Sequence, residues 1–261
     1  MTKRILTIVL LAMSSTFAQW TPPPKPDPST ILNEAKTDAM AGRYGDALAK
    51  HLWFHHNALK VRRSLYGVRL SFALGYWMDL AKHYPPALEA LKTTRDEAVA
   101  RIRQGNSTRD DFHDVSSINE HLNEDEGTTE LFVWLDEHNS KLATSSYGVA
   151  ERSLIRSQRY ELCGKYIDPK RSSDRMVTLY REHQRMAKEG RFGGDMSEFS
   201  QRSLSNSATT LVALLVLNGR TAEADDVVAR VLREWPDENF RKALEKAKTG
   251  AVPEPWPPRG S

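Results

Sequence analysis

Cysteine is nearly missing from this chain: Cys163 is the only one. Without a second thiol no internal disulfide can form, so the fold must be held by its apolar core alone. In Tyr160-Glu-Leu-Cys163 the cysteine takes the small-residue position after an aromatic, where a free thiol packs as a small hydrophobe between helices. Intermolecular pairing is the other reading. Motifs for nucleophilic or nucleotide chemistry are also missing. There is no Gly-x-Ser-x-Gly elbow, no phosphate loop ending in Gly-Lys-Ser/Thr and no Gly-x-Gly-x-x-Gly fingerprint. Gly190-Arg-Phe-Gly-Gly194 has glycines but neither a preceding strand nor a following Lys-Ser/Thr, which leaves a turn.

The chain has little net charge. It carries +3, and loss of Lys3 and Arg4 would leave +1. A near-neutral balance gives no electrostatic footprint for nucleic acid. Arg62-Arg63, Lys165 and Lys170-Arg171 are separate basic spots that alternate with acidic neighbours. Charged residues make up 27% and hydrophobic residues 39%, ordinary usage for a folded domain, which excludes a mostly disordered chain and a polytopic membrane protein.

Residues 1–18 read as a signal peptide. Lys3 and Arg4 form a basic start, Ile5 to Met13 an apolar stretch, and Thr16-Phe17-Ala18 ends in small residues at the positions a signal peptidase inspects. Nine apolar residues fall short of the roughly 20 that span a bilayer core. Cleavage is expected after Ala18, giving a periplasmic or extracellular chain with no transmembrane segment. No cysteine follows the apolar stretch, which argues against a lipid-modified N-terminus. Residues 19–28 follow as a proline-rich spacer, with five prolines between Trp20 and Pro28.

From 29 to 248 apolar residues recur at three- and four-residue spacing, with almost no β-type alternation. The first helix is expected near Ser29 or Thr30, after the capping residues Asp27-Pro28-Ser29-Thr30. Leu70, Leu74, Met78 and Ala81 form one stripe facing Leu88, Leu91, Ala98 and Ile102 across His83-Tyr84-Pro85-Pro86. Further helices are expected over 111–122, 173–189, 196–217, 222–235 and 238–248, with 123–129 turning into a second amphipathic stretch that carries Leu131, Phe132, Trp134 and Leu135. Residues 249–261 form a Pro/Trp-rich tail, expected to be disordered or to pack extended on a groove.

Five phrases look like one joint reused: Tyr44-Gly-Asp-Ala-Leu48, Tyr84-Pro-Pro-Ala-Leu88, Tyr147-Gly-Val-Ala150, Phe192-Gly-Gly-Asp195 and Thr221-Ala-Glu-Ala224. In four of them a small residue follows the bulky one by three positions, as close helix crossing requires. These joints resemble the tetratricopeptide repeat (TPR), a helical hairpin of roughly 34 residues. Leu74-Gly75, Met78, Tyr84 and Ala87-Leu88 match one unit; Leu211, Leu215, Gly219, Ala224 and Pro236 match another. The spacings between joints, 40, 63, 45 and 29 residues, show no fixed period. The expected fold is therefore all-α, an irregular TPR-like α-solenoid of stacked helical hairpins over 29–248. An ordinary helical bundle is the competing arrangement. The resemblance implies binding of a peptide, a protein segment or another subunit in a concave groove, and it transfers no ligand residues.

His51-Leu-Trp-Phe-His55-His56 supplies the metal candidates, His51 and His55, because histidines four apart share a helix face. The phrase lacks the glutamate of His-Glu-x-x-His, and an aromatic-rich packing helix is the plainer reading. Asp110-Asp-Phe-His-Asp114 and Glu120-His-Leu-Asn-Glu-Asp-Glu126 gather carboxylates and imidazoles that suit acid-base work or a cation, but equally suit helix capping. Trp53, Trp77, Trp134 and Trp235 lie in apolar stripes and read as core, whereas Trp20 and Trp256, in the proline-rich ends, read as contact residues. The sequence points to a non-catalytic exported protein-protein interaction module with no catalytic residue and no cofactor. The alternative is a helical metal-binding protein or hydrolase built on the His-rich first hairpin. A third reading is self-association, with the tail of one chain docking on another.

Overall fold

A computed structural model describes residues 20–190 and 196–257. Among them every regular element is helical, thirteen α-helices and one 3-10 turn, with no strand. The all-α class is as the apolar spacing requires. The signal peptide of residues 1–18, its cleavage site after Ala18 and the phrase Phe192–Asp195 lie outside the described residues. The chain divides into two compact units, one ending at Thr94 and the other starting at Arg95.

In the first unit α1 (Pro28–Met40) starts where the Asp27 carboxylate accepts the Thr30 amide at 2.8 Å, with Pro28 in the first turn. Gly42, at φ 75°, turns the chain into α2 (Tyr44–Val61). A 3-10 turn leads to α3 (Tyr66–Leu70) and α4 (Phe72–Ala81). The single stripe expected across Leu70 to Ala81 is thus broken at Ser71, whose hydroxyl donates to the Gly67 carbonyl at 2.8 Å. The break rotates the buried face of α4 to Ala73, Leu74, Trp77 and Leu80. The Trp77 indole N–H donates to the Ala87 carbonyl at 2.9 Å, tying α4 to α5 (Pro85–Arg103), whose second half belongs to the other unit.

The second unit continues with α6 (Arg109–Leu122), α7 (Asp125–His138), α8 (Ser140–Arg156) and α9 (Tyr160–Tyr166). It ends with α10 (Pro169–Lys188), α11 (Met196–Leu217), α12 (Thr221–Glu234) and α13 (Glu238–Ala247). Phe112, Phe132, Tyr147 and Tyr166 meet ring to ring in its core, and every residue of α11 from Ala208 to Leu215 is buried. The helix α11 packs on α9, α10, α12 and α13. No helix among the described residues is long and apolar enough to cross a membrane.

Three of the five phrases open helices after a turn: Tyr44 starts α2, Thr221 starts α12, and Tyr84 immediately precedes α5. Their small residues Ala47, Ala87 and Ala224 are all 0% exposed, the condition for two helices to cross closely. Tyr147 is different. It lies inside α8, where the helix continues past Gly148 because Tyr147 and Ala150 are core residues rather than turn residues. The turn falls later, at Gln158, whose φ of 55° is left-handed, and Tyr160 opens α9 with Cys163 buried three residues on. The turn within 123–129 is brief. Asn123 is left-handed at φ 59°, and α7 begins at Asp125.

Gly164 shows how close these crossings are. A Cβ there would sit 2.1 Å from Cγ of Asn218, whose amide donates to the Tyr160 carbonyl at 3.0 Å and the Leu214 carbonyl at 2.7 Å. Asn218 cannot swing away without breaking both bonds. Gly164→Ala should therefore destabilise the protein by about 1–3 kcal/mol despite the better helix propensity of alanine. Urea unfolding of Gly164→Ala, Asn218→Ala and the double variant checks this: the double variant should cost less than the sum of the singles, because removing Asn218 also removes the clash.

Candidate functional site

His51 and His55 do share one face of α2, and what they face is Trp77. His51 stacks on the indole with ring centres 5.8 Å apart and an interplanar angle of 21°; His55 meets it edge-on at 6.1 Å. A guanidinium nitrogen of Arg69 lies 3.2 Å from Nε2 of His55, and the same nitrogen is 3.4 Å from the His55 carbonyl. Among the described residues no three His, Cys, Asp or Glu side chains converge as a metal site would require. His51 is 2% exposed, its Nε2 has no hydrogen-bond partner, and burial pushes its pKa down to about 4. The geometry is that of a neutral imidazole packed on an indole. On the same hairpin the Lys50 ammonium bonds Asp38 at 2.6 Å and Glu34 at 3.0 Å, with Arg43 also on Asp38. Burial pushes the Asp38 carboxyl up, and the hydrogen bonds and charges of Lys50 and Arg43 overcome it and hold the group below the usual carboxylate range. Trp20 rests edge-on against Trp53 at 6.4 Å and under the Lys50 ammonium at 5.6 Å.

Four carboxylates of the acidic middle of the sequence bond arginines. Asp111 closes a capping box with Thr108 and bonds Arg101 at 2.9 Å; Glu120 bonds Arg152 at 3.2 Å; Asp125 bonds Arg156 at 2.6 Å; Glu124 bonds Arg95. Each carboxylate named here faces an arginine. Glu126 instead accepts the Ser157 hydroxyl at 3.2 Å.

A third cluster was hidden in sequence. The Tyr147 hydroxyl donates to Glu151 at 2.8 Å, and Cys163 lies beside the pair. Burial, followed by the charge of Glu151, pushes the thiol up to about 12, and burial raises the Glu151 carboxyl as well. A thiol that is 0% exposed and protonated at neutral pH is no nucleophile.

One surface of the second unit does hold a ligand-like segment, and the segment is the chain's own tail. After Gly250 turns at φ 84° against Leu217, Val252 packs on the core, residues 253–255 follow with neither helix nor strand, and Trp256 and Pro257 form a bend. Asn206 of α11 reads this backbone in both senses. Its amide donates to the Glu254 carbonyl at 2.8 Å, and its carbonyl oxygen accepts the Trp256 amide at 3.1 Å. Arg152 of α8 donates to the Trp256 carbonyl at 3.2 Å while its other terminal nitrogen is held by Glu120. The Trp256 ring meets Phe199 edge-on at 4.9 Å, and His183 of α10 stands against the Phe199 ring at 5.7 Å. Within the described part of the tail, Glu254 and Trp256 are docked on α8 and α11.

No family model matches this chain, and none of the curated proteins or solved structures compared with it is a match. The residues of the tail seat were not singled out in sequence. Arg152 and Phe199 look like surface residues of amphipathic helices. Asn206 carries a faint signal, since it sits in the polar run Ser205–Ser207 of a helix that is otherwise largely apolar toward its C-terminus.

Two titrations follow with opposite signs. With a folded pKa near 4 against an unfolded 6.5, the unfolded chain binds a proton that folded His51 refuses, so stability falls as pH drops from about 6.5 to about 4. The loss is on the order of 3 kcal/mol from this residue. His51→Phe, which keeps a ring on Trp77, should flatten that limb of the stability-pH curve in urea titrations. Glu151 has a raised folded pKa, so its contribution is full below the unfolded 4.5 and is lost as pH rises through the folded value. Glu151→Gln should raise Tm more at pH 7.5 than at pH 4.5.

Proposed function

We propose that this protein is a non-catalytic binding module, exported after cleavage near Ala18, that holds an extended segment of a protein partner on a TPR-like stack of helical hairpins. The observation that carries the reading is Asn206, which donates to and accepts from the backbone of a non-helical segment, with Arg152 fixing a third backbone group. Main-chain hydrogen bonds of this kind hold a segment with little regard to its sequence, and the Phe199 ring adds a preference for an aromatic. The TPR-like reading draws support from four helix starts in which a bulky or β-branched residue precedes a fully buried small one by three positions: Tyr44 and Ala47, Tyr84 and Ala87, Tyr160 and Cys163, Thr221 and Ala224. A binding role also fits a described chain whose thiol is buried and whose carboxylates Asp111, Glu120 and Asp125 face arginines.

The test is affinity capture from a native envelope extract, using residues 19–261 with Trp256→Ala to loosen the tail. A protein retained by this chain and lost when Asn206→Ala is added, at unchanged helical content, is the expected result. Retention that ignores Asn206, or no retained protein, would contradict the reading.

A further inference from the structure

The seat on α8 and α11 is already filled by the chain that carries it, and the chemistry of the occupant is specific. Prolines at 253, 255 and 257 leave Glu254 and Trp256 as the only backbone donors between 253 and 257, and the Trp256 amide is the one Asn206 accepts. Proline also restricts the residue before it to extended backbone, so Glu254 and Trp256 reach the seat with little conformational freedom left to lose. The seat answers this pattern group by group. One side-chain amide spans the Glu254 carbonyl and the Trp256 amide across a proline that needs no acceptor, Arg152 takes the next carbonyl, and Phe199 takes the indole. Phe199 remains 45% exposed even with the tail in place, so an incoming ring has a surface to meet before the tail has left.

We propose that the tail is a built-in occupant of a peptide site whose partner is an extended protein segment with a tryptophan flanked by prolines, and that the site opens when such a segment displaces residues 252–257. This rests on the binding reading above and adds to it the class of partner and the means of control. A tethered occupant competes at an effective concentration on the order of 1 mM, so a tail whose own affinity for the seat is about 10 μM weakens the binding of any free segment about 100-fold.

The probe is a fluorescent peptide of residues 250–261, titrated by anisotropy into full-length mature chains. Binding to the Trp256→Ala chain on the order of 100-fold tighter than to the wild-type chain, abolished by adding Asn206→Ala, is expected. A Trp256→Phe chain should fall between the two, because a smaller ring still meets Phe199. Equal affinity for wild type and Trp256→Ala would overturn the control by the tail. No binding to Trp256→Ala would overturn the partner class, while Asn206-dependent capture of another protein would still leave the binding reading standing. A wild-type chain whose mass in solution doubles, and returns to monomer with Trp256→Ala, would place the tail on a second copy and overturn displacement within one chain.

Discussion

Burial of α11 on nearly every side is the constraint from which the second unit is built. A chain with one cysteine has no covalent brace, so its stability rests on apolar area removed from water. Eight consecutive buried residues from Ala208 to Leu215 are possible only if neighbours cover the helix all round, and α9, α10, α12 and α13 pack on it. Beyond the two ends of this buried stretch lie the polar side chains that bond neighbouring segments. Asn206 lies just before it and reads the tail; Asn218 and Arg220 lie just after it and satisfy carbonyls of α9. The helix that organises the core therefore also positions the binding groups, on a rigid element instead of a loop, which keeps the geometry of the seat narrow.

Buried polar groups elsewhere show the same economy of partners. Asn119 donates to Thr128 at 3.0 Å, the Trp77 indole to the Ala87 carbonyl, and the Lys50 ammonium to two carboxylates. Such groups are costly to bury unless paired, and pairing them fixes which helices can lie together. At His51 the buried Nε2 has no partner, and the ring stacks on Trp77. A neutral histidine tolerates that position and a charged one does not, which makes the first hairpin sensitive to acid, whereas the raised Glu151 carboxyl makes the second unit sensitive in the other direction.

Helix content and most helix ends were legible in the sequence, since apolar spacing, Asp27-Pro28 capping and the glycine turns are local signals. The expected helix over 196–217 coincides with α11, and the joints at Tyr44, Tyr84 and Thr221 fall where turns are. Tyr147 misled because an aromatic-Gly-x-Ala phrase has the same composition in a turn and in a buried helix; only the neighbours of its ring distinguish them. His51 and His55 were rightly placed on one helix face, but sequence spacing does not reveal that Trp77 is what they face. The tail seat was illegible for a related reason. Its parts come from residues 152, 183, 199, 206 and 256, and Arg152 and Trp256 are 104 residues apart in the chain, so no local window contains the site.

Amide hydrogen exchange on the intact chain tests the central claim most directly, because it reads the core helix and the docked tail in one experiment. The account expects the slowest exchange at 208–215 of α11 and measurable protection of the Trp256 amide, the donor to Asn206. Trp256 exchanging at the rate of an unstructured peptide, with α11 no slower than its neighbours, would contradict it.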